Sequence, residues 1–214
     1  MFGSDFMNHY LKVLISSFLA GMLISFGGLI YLSVRHISII AGGFLFAFGL
    51  FCVIVFKLHL FTGKIGYLID NKMKYVVELL VILLGNFIGA ILIGLLAKVI
   101  CPNLLPLVTE IANKKLSNNL FACFILSFFC GIMIFIAVEV SKKDVSPSYK
   151  LIAIFFAVAL FVIMGFEHCV ANMFYFTFAS AFSLKMLLYI LIMIVGNTLG
   201  SISFYGLLKL INKK

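Results

Sequence analysis

Gly165-Phe166-Glu167-His168-Cys169-Val170-Ala171-Asn172-Met173-Phe174 sets a glutamate and a histidine side by side late in an apolar stretch, roughly 149 to 171, with lipid-like residues on both flanks. An ionisable side chain near the centre of a bilayer costs several kcal/mol, about 2.5 to 3.5 on insertion scales. Such a residue is retained where it faces a protected interior and serves a function, which makes His168 the first residue to explain.

Working outward, the rest of the chain is a bilayer sequence. Apolar residues make up 64% of its 214 positions and charged residues 11%, with a mean hydropathy of +1.26, a composition that excludes a soluble globular domain. A hydrocarbon core of about 30 Å needs about 20 apolar residues per helix. Six stretches qualify, roughly 11 to 33, 38 to 62, 75 to 100, 118 to 140, 149 to 171 and 184 to 208. The first is longer than the apolar core of a secretory signal and is read as a spanning helix. Cys52, Cys101, Cys123, Cys130 and Cys169 lie in or beside these spans without paired spacing, so neither a disulfide framework nor a CxxC metal site is indicated.

Orientation follows from the basic residues. Lys12, Lys64, Lys72, Lys74, Lys142, Lys143, Lys150, Lys209, Lys213 and Lys214 fall on one side, against Arg35, Lys98, Lys114, Lys115 and Lys185 on the other. The excess predicts a multi-pass protein of the cell membrane with both termini cytoplasmic. The formal charge of +9 is dispersed over loops with no basic run, which argues against nucleic acid as a partner.

The two halves resemble each other. Phe18-Leu19-Ala20-Gly21-Met22-Leu23-Ile24 aligns with Phe128-Phe129-Cys130-Gly131-Ile132-Met133-Ile134, and Gly85-Asn86-Phe87-Ile88-Gly89 with Gly196-Asn197-Thr198-Leu199-Gly200. Three helices followed by three equivalents gives inverted repeats, about 11–100 and 118–210, within a single transmembrane domain covering 1–214. The paired glycines suit close helix packing and Asn86 and Asn197 suit interhelical hydrogen bonds. The same alignment sets Gly63, in Lys57-Leu58-His59-Leu60-Phe61-Thr62-Gly63-Lys64, opposite Asn172. Both are conformationally permissive residues late in an apolar run, so the second and fifth helices are expected to be interrupted there. The resulting fold class is an all-α membrane protein with six transmembrane helices.

Leu60-Phe61-Thr62-Gly63 together with Gly165 to Phe174 resembles the paired signatures of the formate/nitrite transporter family, and Gly85-Asn86 and Gly196-Asn197 fit it as well. The resemblance implies an aquaporin-like protomer assembled as a homopentamer with one pore per protomer. It places His168 and Thr62 at a central site and gives Asn172 the task of holding the broken-helix geometry. Leu60, Phe61 and Phe161 become apolar constrictions, with Leu50 and Phe46 further out, while Glu167 is placed outside the pore. Lys57 and Lys64 depart from the family pattern; either they face an entrance and favour anions, or Lys57 snorkels to the interface. Lys64, Cys169 and the short polar stretch before the first span are similar to the hydrosulfide-channel branch, whereas the core motifs suit formate and nitrite equally.

A Leu/Phe collar opposes a bare monovalent anion through its desolvation cost, which the neutral acid largely avoids. His168 can donate a hydrogen bond or a proton to formate, nitrite or hydrosulfide, and Thr62 supplies a hydroxyl opposite it. No cofactor is called for, and no nucleophile, metal triad or phosphate loop suggests an enzyme. The alternative of another class is a transition-metal permease using His168, Cys169, His59 and Cys52 as ligands.

Overall fold

The computed structural model describes residues 2–212, with side chains from residue 7 onward; Lys213 and Lys214, counted above for orientation, lie outside them. Every regular element among the described residues is helical: α1 (Phe2–Val34), α2 (Ile39–Val55), α3 (Phe61–Lys64), α4 (Met73–Ile100), α5 (Leu105–Ser117), α6 (Leu120–Lys142), α7 (Pro147–Ile163), α8 (Cys169–Phe178) and α9 (Leu184–Asn212). Short 3-10 turns at Ile65–Asp70 and Pro102–Leu104 complete the chain. A bilayer core offers no water to backbone polar groups, so the spanning backbone must close its own hydrogen bonds.

Four helices are long and apolar enough to cross: Met7–Val34, Met73–Ile100, Leu120–Lys142 and Leu184–Asn212. They pack as two tight pairs, α1 on α4 and α6 on α9. Small residues permit the approach. An added Cβ would lie 2.1 Å from Asn86 O at Gly21 and 2.2 Å from Phe18 O at Gly89, and equally 2.2 Å from Asn197 O at Gly131 and 2.0 Å from Phe128 O at Gly200. Backbone cannot retreat from such a contact, so these four glycines fix the spacing of the pairs.

The other two apolar stretches are broken, at places earlier than Gly63 and Asn172. Helix α2 ends with Lys57 at φ 54, where Lys57 N donates to Ile54 O and Leu58 N to Val53 O, at 3.1 and 2.9 Å. Helix α7 ends with Gly165 at φ 68, where Gly165 N donates to Val162 O and Phe166 N to Phe161 O at the same two distances. Both ends are Schellman motifs, which satisfy the last carbonyls through one left-handed residue. Glycine takes that conformation freely, whereas lysine does so at a cost of about 1 kcal/mol. Gly63 and Asn172 instead sit inside α3 and α8, without positive φ. A Cβ at Gly63 would meet Val138 at 2.9 Å, so its small size is used for packing.

Helix α5 lies in the connection between the third and fourth apolar stretches. Pro102 opens the 3-10 turn before it and Pro106 its own first turn, Val108 and Ala112 are buried, and it packs on α8. At one face of the bundle, His9 meets Glu78 at 3.5 Å, the Tyr67 hydroxyl donates to Glu139 at 2.7 Å, and the Tyr205 hydroxyl donates to Asp70 at 2.6 Å. These contacts gather the start of α1 and the ends of α6 and α9 on what is called here the terminal face. Glu139 also pairs with Lys143, one helical turn on, at 2.9 Å. Lys209 also pairs with Asp70, and its ammonium and the Tyr205 hydroxyl hold that carboxyl below its usual range.

Candidate functional site

After each Schellman turn the chain folds back into the bundle and restarts as a short helix, and each restart is tied by one asparagine. Asn86 Oδ1 accepts from Phe61 N at 2.8 Å, while its amide donates to Ser17 O at 2.7 Å and His59 O at 2.9 Å. Asn197 Oδ1 accepts from Cys169 N at 3.0 Å, while its amide donates to Ser127 O and Glu167 O, both at 2.8 Å. The pattern is the same bond for bond. It pairs Phe61 with Cys169, Leu60 with His168 and Gly63 with Ala171, a one-residue correction to the alignment of Gly63 with Asn172.

The two restarts bring Thr62 and His168 together, with Thr62 Oγ1 2.8 Å from His168 Nε2. His168 is also the N-cap of α8, where its Nδ1 accepts from Ala171 N at 3.1 Å. A nitrogen that accepts carries no proton, so this bond places the ring's hydrogen on Nε2 and makes it the donor to Thr62. The hydrogen of Thr62 is thereby left for a further acceptor. Both side chains are almost fully buried, at 0% and 2% exposure.

A cavity approaches this pair from each face. The terminal cavity, of about 350 Å³, is lined by Leu58, Leu60, Gly63 and three lysines, Lys57, Lys64 and Lys142, so that Leu60 and Gly63 flank Thr62 along the chain. The opposite cavity, of about 290 Å³, runs past Tyr31, Phe46 and Phe161 to His168. Its rings stand in a column: Tyr31 lies 6.5 Å from Phe46, Phe46 5.5 Å from Phe161, and Phe161 6.0 Å from the His168 imidazole between centroids. Thus Leu60, Phe161 and Phe46 face one cavity or the other, while Leu50 and Phe61 are buried and line neither of these two. Lys57 and Lys64 both reach the terminal cavity.

Asn86 and Asn197 tie the backbone of the two breaks, whereas Asn172 reaches one side chain within the second. Its amide donates to Glu167 Oε2 at 2.6 Å, and the Lys115 ammonium reaches the same oxygen at 2.5 Å. Glu167, expected outside the pore, lies with Asn172 and Lys115 in the wall of the opposite cavity. A buried carboxylate requires such partners, since an unpaired one is costly in low dielectric. Lys115 went unread because it lies in α5. His59 is tied through its backbone to Ser16 and Asn86, but its buried Nδ1 has no partner. Among the described residues no three His, Cys, Asp or Glu side chains converge to hold a metal ion, so His59, Cys52, His168 and Cys169 do not form a ligand set.

Long apolar helices with two breaks back to back define an all-helical integral membrane protein. The model of the formate/nitrite transporter family matches residues 5–211, and the chain belongs to that family. It is 31% identical over 150 residues to the formate channel FocA of Haemophilus influenzae, covering 63% of this chain and 52% of that one. It is 30% identical to the formate-nitrite transporter of Plasmodium knowlesi over 62% of this chain and 48% of that one. The matched stretches therefore span about half the length of these two relatives. The formate-nitrite transporter of Plasmodium falciparum matches over 93% of this chain and 77% of its own at 26% identity. Among solved structures, an FNT family ion channel superposes with a TM-score of 0.87 at 25% identity, covering 97% of this chain and 92% of that one. A pentameric formate channel with formate bound gives 0.82 at 22%, covering 95% and 97%. These relatives and neighbours are named as channels and transporters, not as enzymes.

Proposed function

We propose that this chain is the protomer of a homopentameric channel in the cell membrane, both termini cytoplasmic, which passes small monovalent anions of weak acids: formate, nitrite or hydrosulfide. In this reading α2 with α3, and α7 with α8, each serve as one interrupted crossing. With α1, α4, α6 and α9 they make six spans in two inverted three-helix repeats, an aquaporin-like arrangement. The bond-for-bond match of Asn86 and Asn197 supports the repeat.

The observation that carries the reading is the Thr62–His168 contact between two cavities that approach from opposite faces. Lys57, Lys64 and Lys142 on one side and Arg35, Lys114 and Lys115 on the other raise the local anion concentration. The anion then meets Leu60 or the Phe46–Phe161 pair, where its desolvation must be offset. The Thr62 hydroxyl, itself accepting from His168, offers its hydrogen bond to the anion, which crosses the collar as the neutral acid, its proton supplied by hydronium of the bulk solution that is left as water. His168 acts as a neutral orienting donor. Giving up its only ring proton would leave an imidazolate, and taking up a second one at Nδ1 would break the cap on Ala171 N.

Initial uptake rates in proteoliposomes, with formate, nitrite, hydrosulfide, chloride and a divalent metal ion compared between pH 5 and 8, test the proposal. Saturable uptake of the weak-acid anions that rises toward low pH is expected. Metal uptake without weak-acid uptake would replace this reading with that of a metal permease.

A further inference from the structure

We infer that Arg35, Tyr31 and Tyr175 form a second anion-binding station in the opposite cavity, outside the Phe46–Phe161 pair, built for anions with two oxygens. The inference rests on the channel reading and sharpens its substrate class to formate-like and nitrite-like oxyanions over hydrosulfide.

Four positions of α8 face this cavity: His168, Ala171, Asn172 and Tyr175. Their spacing is that of one helical face, which puts Tyr175 about 10 Å further along the axis than His168. Tyr31 and Arg35, one helical turn apart at the end of α1, line the same cavity. The Tyr175 hydroxyl is 3.5 Å from where a Cβ on Gly28 would stand, one turn below Tyr31. The Arg35 guanidinium lies over the Tyr31 ring, 5.5 Å from its centroid.

The polar groups here have unused capacity. Tyr31 and Tyr175 are 9% and 6% exposed, and among the described residues neither hydroxyl has a hydrogen-bond partner. The two rings are buried but neither hydroxyl oxygen is among the sealed, unsatisfied polar atoms, so both open onto the cavity they line and are free to bind a ligand there. Among the described residues Arg35 takes part in none of the ion pairs. The carboxylates on this cavity are Glu167, whose bound oxygen is already shared by Lys115 and Asn172, and the exposed Glu110.

The chemistry favours a particular shape. A guanidinium presents two parallel N–H groups that match two oxygens on one atom, whereas lysines act as point charges. Formate and nitrite offer that edge, with lone pairs left for a phenol hydroxyl. Hydrosulfide offers a single, weakly accepting sulfur, for which the neighbouring lysines suffice.

The test has two arms, transport and direct labelling. Tyr175→Phe and Arg35→Lys, each verified as folded by its melting temperature, are compared with the unaltered channel for formate, nitrite and hydrosulfide uptake. The expected result is a rise of about tenfold in the half-saturating concentration of formate and nitrite, the size of one lost charge-assisted hydrogen bond, with hydrosulfide unchanged. Equal shifts for all three ions, or no shift, would overturn the station. Arg35 is the only arginine in the chain, so phenylglyoxal labelling of the detergent-solubilised protein, read by mass spectrometry on the peptide that carries residue 35, reports on it. Formate and nitrite should slow that labelling while chloride at equal concentration does not; equal protection by chloride would reduce Arg35 to a general positive charge. A channel that carries none of the three anions would sink the functional reading itself, and the station with it.

Discussion

Asn197→Ala is expected to leave little folded protein. The substitution removes the acceptor of Cys169 N and the donor to Ser127 O and Glu167 O. Ser127 O, inside α6, keeps its intrahelical bond, but Cys169 N and Glu167 O are left without a partner in the bundle, where each unsatisfied group costs about 1 to 3 kcal/mol. Two such losses at one break are a large fraction of the stability of an ordinary domain, about 5 to 15 kcal/mol. Helix α8 would lose the anchor of its first turn, and the N-cap that orients His168 would go with it. Size-exclusion chromatography of detergent-solubilised protein checks this by the loss of most of the monodisperse peak. Asn172→Ala is the informative contrast: it removes a donor to a carboxylate that Lys115 still holds, and should retain the peak.

Thr62→Val should have the opposite signature, a folded protein that scarcely conducts. Valine keeps the shape but removes the hydroxyl that the geometry offers to the anion. A hydrogen bond to a charged group contributes about 1.5 to 3 kcal/mol, which corresponds to roughly a tenfold to hundredfold change in rate. The wall residues around it, Leu60 and Phe61, keep their packing, so the melting temperature should fall by only a few degrees. Formate uptake and a thermal melt on the same preparation separate the two effects. A variant that conducts as well as the original would leave the Thr62 hydroxyl without a part in permeation.

How much of this was legible in the sequence differs by feature. The long helices could be read because crossing a bilayer demands a run of apolar residues, whatever the neighbouring helices do. His168 could be read because an ionisable group in such a run is costly. The helix breaks could be expected but not placed. Lys57 carries the left-handed turn of α2, and nothing about a lysine announces that conformation; the permissive glycine nearby, Gly63, is used for packing against Val138. Asn86 and Asn197 were legible as polar glue between helices, whereas their hold on the breaks depends on Ser17, His59, Ser127 and Glu167, far away along the chain. Helix α5 escaped notice because prolines and lysines in a connection read as loop. Lys115 then meets Glu167 only through the fold, just as Arg35 comes to line the same cavity as Tyr175.

The measurement that bears most directly on the central claim is the pH profile of formate uptake for the original protein and for His168→Asn. Asparagine is among the best N-cap residues, so α8 keeps its start, but its short side chain cannot take the place of Nε2 at Thr62. If His168 is a neutral orienting donor, uptake should fall about tenfold, the equivalent of one hydrogen bond, at every pH between 5 and 8 with the shape of the profile unchanged. A profile that flattens when the imidazole is removed would show that His168 itself delivers the proton, and would contradict the account.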